Sequence, residues 1–329
     1  MSTEVVDVTQ DLSQFRADYQ KLREAIGLVM IGQDEIIELT LAALFAGGNV
    51  LLEGPPGVGK TLLGRTLAGL LSVNYRRIQF TSDLMPADVI GTYVIMESGG
   101  RRRFEFQQGP IFTNLLLADE INRATPKTQA ALFEALEEGA LTVANERYPL
   151  PKPFFAIATQ GLGDIEGTFP VPETQLDRFF FKLRLAAPSN EELGQILQRM
   201  TDPPAAALKP VLDGNRLEQM RQQARQVTIA PDVLNEAVQL VAATHPDNKT
   251  APDSTRRFVS RGASSRGGQA MILAAKVLAI VAGRAQVARE DLRRVAVAAL
   301  RHRVSLNFEG HAEEAGIDGI IHEILDAVK

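Results

Sequence analysis

The chain has 329 residues, 45% of them hydrophobic and 23% charged, and carries a formal net charge of -5. That length and apolar content suffice for a large buried core and for two domains, and the mild acidity argues against nucleic-acid binding over the whole surface while leaving room for a local basic patch. There is no cysteine, so disulfides and thiolate metal sites are excluded and folding does not depend on an oxidising compartment.

The segment Met1 to Gln10 lacks the basic and apolar regions of a signal peptide. The apolar stretch Ala270 to Ala282 contains Lys276 and falls short of the roughly 20 residues that a bilayer requires. A cytoplasmic location is expected. The four histidines, His245, His302, His311 and His322, show no metal-ligand spacing and read as surface or structural residues.

Phe15, Tyr19, Leu22 and Ile26 recur at helical spacing, which predicts an amphipathic helix over Asp11 to Ile26. A second helix is predicted from Gln33 to Ala46, ended by Gly47-Gly48. A strand over Asn49 to Glu53, a helix over Leu62 to Leu71 and a strand over Tyr75 to Phe80 follow, the alternation expected of a parallel α/β sheet. The segment Asp83 to Gly109 breaks that rhythm with a hairpin pattern, Gly91 to Met96 and Arg103 to Phe106 around Glu97-Ser98-Gly99-Gly100. After an apolar run over Asn114 to Glu120 and a helix over Thr125 to Glu138, a second hairpin is predicted over Ala140 to Pro149, with Leu141 and Val143 set against Tyr148 and Leu150.

Two more buried strands are predicted over Phe154 to Thr159 and Phe179 to Leu185. Beyond Pro188 the pattern turns helical: Ser189 and Glu192 have capping-box spacing, Pro231 suits a first helical turn, and Gly267 to Ala282 and Glu290 to Arg301 read as helices. Thr201 to Pro210 and Thr244 to Arg257 read as surface connections.

Gly54-Pro55-Pro56-Gly57-Val58-Gly59-Lys60-Thr61 meets the pattern of a phosphate-binding loop between a strand and a helix. Its glycines let successive N–H groups turn toward phosphate oxygens at a helix start. Lys60 would give a mobile positive charge to the β- and γ-phosphates of ATP, and the Thr61 hydroxyl would ligate magnesium. The apolar run Asn114 to Ala118 ends in Asp119 and Glu120, which fit a magnesium ligand and the base that polarises the attacking water. A GTPase would show N-K-x-D, whereas Asn248-Lys249-Thr250-Ala251 lacks the acidic residue. A small-metabolite kinase would not need the helical tail.

Leu117 to Arg123, Ala158-Thr159-Gln160, Glu166 to Pro170, Gln175 to Phe179 and Gly262 to Arg266, taken with the phosphate loop, resemble the MoxR family of AAA+ ATPases over about Ile31 to Phe308. The resemblance implies a P-loop AAA+ core with a parallel five-stranded sheet of order 5-1-4-3-2, a C-terminal α-helical lid, and assembly into a ring, usually a hexamer. The domains would be an N-terminal helical segment over 1–30, an ATPase core over 31–187 and a helical lid over 188–329. The hairpins would be the helix-2 insert (83–109) and the pre-sensor hairpin (140–149).

By the same resemblance, Arg178 matches the arginine finger that enters a neighbouring subunit's site, and Arg266 the sensor 2 arginine, touching the γ-phosphate in cis. Ile31 and Gly32 match the segment that packs on adenine, and Gly57, Val58, Gly59, Lys60, Thr61 and Leu62 the loop that holds the phosphates. Relatives usually carry Thr-Gln-Asn-Pro where this chain has Thr159-Gln160-Gly161-Leu162, so Gln160 is the sensor 1 choice by default.

ATP, ADP and Mg2+ are the implied ligands, and a protein client, often a von Willebrand factor A domain protein, the implied partner. Three readings stay open: a remodelling or chaperone-like ATPase, a nucleic-acid motor using Arg101-Arg102-Arg103 at a hairpin tip, and a nucleotide-gated scaffold with little turnover. Three arginines at a turn are more often simply solvated.

Overall fold

A computed structural model describes residues 8–98, 101–161, 167–201 and 208–328. Five strands, β1 (Val50–Glu53), β2 (Tyr75–Gln79), β3 (Leu115–Asp119), β4 (Phe155–Gln160) and β5 (Phe181–Arg184), form one sheet in the order β5-β1-β4-β3-β2. All four pairings are parallel, so the order and direction match those expected from the sequence.

The central strands are apolar on both faces because helices cover both. Successive side chains point to opposite faces, and this alternation divides the core in two. Val50, Leu52, Leu115, Leu117, Phe155 and Ile157 join a cluster containing helices Asp34–Ala46 and Lys60–Leu70. Leu51, Leu116, Ala118, Ala156 and Ala158 join another around helix Pro126–Glu138.

The first cluster continues into the C-terminal helices. Helix Ser265–Val281 packs on Asp34–Ala46 and on helices Pro231–Ala243 and Arg289–Leu300. Its buried face, including Met271, Ala274, Ala275 and Leu278, shares one apolar cluster with the N-terminal helix Val8–Gly27 and the sheet. No described helix is long and apolar enough to cross a membrane.

Both hairpins form. The first pairs Gly91–Ser98 with Arg101–Gln108; its turn, Gly99-Gly100, lies outside the described residues, as does Glu166. In the second, Leu141 faces Tyr148 as expected, but Val143 faces Glu146 rather than Leu150. Ala144 and Asn145 both take positive φ, 49° and 68°. This two-residue turn fixes the register and carries Leu150 past the last pair, where its N–H donates to the Gly139 carbonyl at 2.9 Å. The hairpins touch through Tyr148, whose ring centroid lies 4.5 Å from that of Phe106 and whose hydroxyl lies 3.0 Å from that of Tyr93.

The segment Thr244 to Arg257 is not simply a surface connection. It contains most of a short helix, Asp253–Phe258, started by Pro252 and anchored by buried Ala251 and Thr255. Thr201 to Pro210 cannot be compared throughout, since residues 202–207 lie outside the described set.

Candidate nucleotide site and arginine cleft

The carboxyl ends of β1 and β3 open into a cleft of about 760 Å3, where a parallel sheet of this kind places its ligands. One wall is the turn from β1 to helix Lys60–Leu70. Gly57 and Gly59 hold φ of 84° and 97°, a region that side chains with a Cβ rarely enter, and Gly59 also lies against Met30. Lys60 folds back over the loop, donating to the Gly54 carbonyl at 2.5 Å and the Pro55 carbonyl at 2.9 Å. Burial pushes its pKa down against the opposing pull of Glu120, Asp119 and Glu53. Glu53, at the end of β1, is itself tied to Lys182 (2.7 Å) and Arg184 (3.0 Å) on β5.

The opposite wall is the end of β3. Asp119 is buried, and its carboxylate lies 3.1 Å from the Thr61 hydroxyl. Thr159, fully buried on β4, ties the acidic pair together: its hydroxyl donates to Asp119 Oδ1 at 2.6 Å and accepts from the Glu120 N–H at 2.8 Å. Glu120 takes a left-handed backbone (φ 59°, ψ 51°), which turns its side chain out of the strand's alternation. Its carboxylate meets Arg123 at 2.6 Å and Gln79 at 3.4 Å. Arg77 donates to Asp119 Oδ2 through Nη2 at 2.7 Å.

Helix Asn190–Thr201, capped reciprocally by Ser189 and Glu192, supplies Ile196, Arg199 and Met200 to the cleft. Ile31 contributes from the segment before helix Asp34–Ala46. Gly32, at φ 71°, lies beside it, and a Cβ there would collide with the Glu192 carboxylate.

Thus Ile31, Gly57, Val58, Gly59, Lys60, Thr61, Leu62, Asp119 and Glu120 border one cleft. Among the sequence-derived candidates, Gly32 and Gln160 are not on its lining. Gln160 ends β4 opposite Glu53, with its Oε1 buried and without a hydrogen-bond partner among the described residues.

Arg178 and Arg266 lie elsewhere. They line a second cleft of about 260 Å3 with Gly47, Glu137, Asp177 and Arg303. Arg178 donates to the Phe133 carbonyl at 2.9 Å and pairs with Glu137 at 3.0 Å. Arg266 pairs with the same Glu137 at 2.5 Å. Arg266 thus borders this second cleft and does not line the phosphate-loop cleft of its own chain. Helix Ser265–Val281 docks on helix Asp34–Ala46, and its first turn is tied by the Ser264 hydroxyl to Asp177 at 2.9 Å, next to the finger candidate.

The segment carrying Arg178 is clamped from the C-terminal region. Arg303, almost fully buried, donates to the Asp177 carboxylate (2.8 Å) and to the carbonyls of Asp177, Phe179 and Phe180. Burial lowers its pKa to about 10 despite Asp177. The His302 ring donates from Nε2 to the Phe179 carbonyl at 3.0 Å, and burial, aided by Arg303, holds its pKa well below the ordinary 6.5.

Sequence reasoning passed over Thr159 as a site residue, along with Arg77, Arg123, Glu137 and Arg303. Of these, Thr159 and Arg123 stood in quoted motifs. Among the described residues no cluster of three His, Cys, Asp or Glu side chains could hold a metal by itself. Magnesium would need Thr61, Asp119 and phosphate oxygens together, a donor set of hard oxygens that suits it.

Comparison with known proteins agrees with this geometry. Residues 49–181 match the ATPase family associated with various cellular activities (AAA), and residues 254–324 match the AAA lid domain. The chain is 41% identical over 312 residues to the uncharacterized protein YeaC of Bacillus subtilis, covering 94% of this chain and 93% of that protein. It is 38% identical over 300 residues to Chaperone MoxR1 of Mycobacterium tuberculosis, covering 91% and 79%. A crystal structure of an ATPase candidate from Cytophaga hutchinsonii has a TM-score of 0.90 at 33% identity, covering 100% of this chain and 99% of that one. With the phosphate loop, the acidic strand end and the five-strand order all in place, the chain belongs to the MoxR family of AAA+ ATPases.

Proposed function

We propose that this ATPase hydrolyses ATP to ADP and phosphate with magnesium, in a closed ring, and uses the cycle to remodel a protein client. The observation that carries the reading is the convergence of Lys60, Thr61, Asp119 and Glu120 on one cleft. Lys60 neutralises phosphate charge, and Glu120, once released from Arg123, accepts a proton from the water that attacks the γ-phosphorus. Thr61 and Asp119 would hold magnesium, which would supply positive charge to offset that of the phosphates.

Arg178 and Arg266 are assigned together to a neighbour's site. A guanidinium suits the charge spread over the equatorial oxygens of a transferring phosphoryl group, and neither lines the chain's own phosphate-loop cleft. A hexameric ring and a von Willebrand factor A partner are part of the same proposal and rest on the family resemblance alone. The protein-directed role is supported by the name of the MoxR1 chaperone. On the first hairpin, Ile95, Met96 and Phe104 are exposed apolar side chains that a protein client could meet.

Glu120→Gln should bind ATP normally and lose turnover by about 10² to 10⁴, because an amide cannot accept the proton. ATPase assay and a binding isotherm together test this, and co-purification on the ATP-locked variant identifies the client. Turnover close to wild type would remove Glu120 from the role of base.

A further inference from the structure

The Asp119 carboxylate is saturated by the chain's own donors. Oδ1 accepts from the Thr159 hydroxyl at 2.6 Å and lies 3.3 Å from that of Thr61. Oδ2 lies 3.1 Å from Thr61 Oγ1 and accepts from Arg77 through Nε at 3.1 Å and Nη2 at 2.7 Å. A carboxylate has about four lone-pair directions. A cation that approaches this one must displace a donor.

The three donors differ in how readily they leave. Thr159 is fully buried and also fixes the Glu120 N–H, so displacing it would disturb the neighbouring carboxylate. Thr61 has no need to leave, since a hydroxyl can donate its proton to Asp119 while offering a lone pair to a metal. Arg77 is different. Its side chain is 46% exposed, it sits on the edge strand β2, and Gln79, also on β2, offers it an alternative acceptor at 2.5 Å.

We propose that Arg77 is a built-in competitor of magnesium: its guanidinium neutralises the buried Asp119 carboxylate and must swing away before the cation can engage it. The proposal rests on the nucleotide reading of the cleft and adds a threshold to it. Magnesium engages Asp119 only where its attraction, reinforced by nucleotide phosphates, exceeds that of the two Arg77 bonds. Free magnesium alone would leave the pair closed.

The test is a magnesium titration of a fluorescent ATP analogue bound to the full chain, followed by anisotropy, for wild type, Arg77→Gln and Arg77→Lys. Arg77→Gln should lower the half-saturating magnesium concentration about three- to tenfold, the span expected for a charge-assisted pair partly screened by solvent. Arg77→Lys keeps the charge but not the two-pronged contact, so it should fall between the two and carries the test should the glutamine variant not fold. Melting curves give a second readout: Arg77→Gln should lose more stability in chelator than in saturating magnesium with nucleotide, because only there is Asp119 left unpaired. An unchanged or raised magnesium midpoint in both variants, with wild-type nucleotide affinity at saturating magnesium, overturns the proposal and leaves the nucleotide site standing. If wild type binds no nucleotide at any magnesium concentration, the reading of the cleft falls and the proposal with it.

Discussion

The phosphate-loop cleft and the arginine cleft are built by opposite means. In the first, carboxylates at a buried strand end are held in place by hydroxyls and covered by half-exposed arginines: Thr159 and Arg77 on Asp119, and Arg123 on Glu120. In the second, the arginines are the candidate functional groups, Arg178 partly buried and Arg266 more exposed, and acids hold them, Glu137 under both Arg178 and Arg266 and Asp177 beneath the clamp of Arg303. On the proposed reading, one cleft supplies a cationic loop, a metal ligand and a base, and the other the guanidinium groups that suit phosphoryl transfer. The difference teaches how the proposed catalytic site would be divided: its ingredients lie in two separate clefts of one chain, and the proposed ring of identical chains would rejoin them.

The largest effect expected from breaking this division is at Arg178. Arg178→Ala should bind ATP through its intact loop but lose about 10³ to 10⁵ in turnover, the range of a finger supplied in trans. Single-turnover ATPase with a parallel binding isotherm separates the two. Equal loss of binding would place Arg178 in its own chain's site instead. Arg266→Ala should cost less, about tenfold to a hundredfold in turnover, in line with one charge-assisted interaction of about 1.5–3 kcal/mol. Because Arg266 shares Glu137 with Arg178, the double variant should lose less than the product of the two single losses.

A smaller effect sharpens the contrast through stability. His302 is buried neutral in the arginine cleft's support, with its folded pKa depressed below the ordinary 6.5. Its contribution is therefore complete above 6.5 and is lost as pH falls, when the unfolded chain takes up a proton that the folded chain refuses. Wild type should lose about 1.4 kcal/mol per pH unit below that point from this residue, and His302→Gln should show a shallower decline in denaturant melts between pH 7 and 5. Identical slopes would show that folding does not shift the titration of His302.

The sheet was legible because its strands obey simple periodicities. Leu115 to Asp119 reads as a buried strand from composition alone, and the phosphate loop states its own geometry through Gly57, Gly59 and Lys60. The second hairpin was legible in place but not in register, because the sequence does not announce that Ala144 and Asn145 both take positive φ. Arg77 was passed over because a strand reading Tyr-Arg-Arg-Ile-Gln shows alternation without showing which side chain reaches Asp119, 42 positions away. The place of Arg266 in the second cleft was not legible for a related reason. Its place depends on how helix Ser265–Val281 seats against Asp34–Ala46, which is set by packing between segments far apart in the chain.

The most direct test of the divided site is to mix Lys60→Ala with Arg178→Ala. A Lys60→Ala subunit cannot hold nucleotide tightly but still presents Arg178 to its neighbour, and an Arg178→Ala subunit keeps its phosphate loop. Each variant alone should be nearly inactive. Co-assembled rings, with mixing verified by differently tagged subunits, should regain a clear fraction of wild-type ATPase that peaks at intermediate ratios. No recovery at any ratio in rings shown to be mixed would contradict the division and make Arg178 a structural partner of Glu137, with the catalytic site completed within one chain.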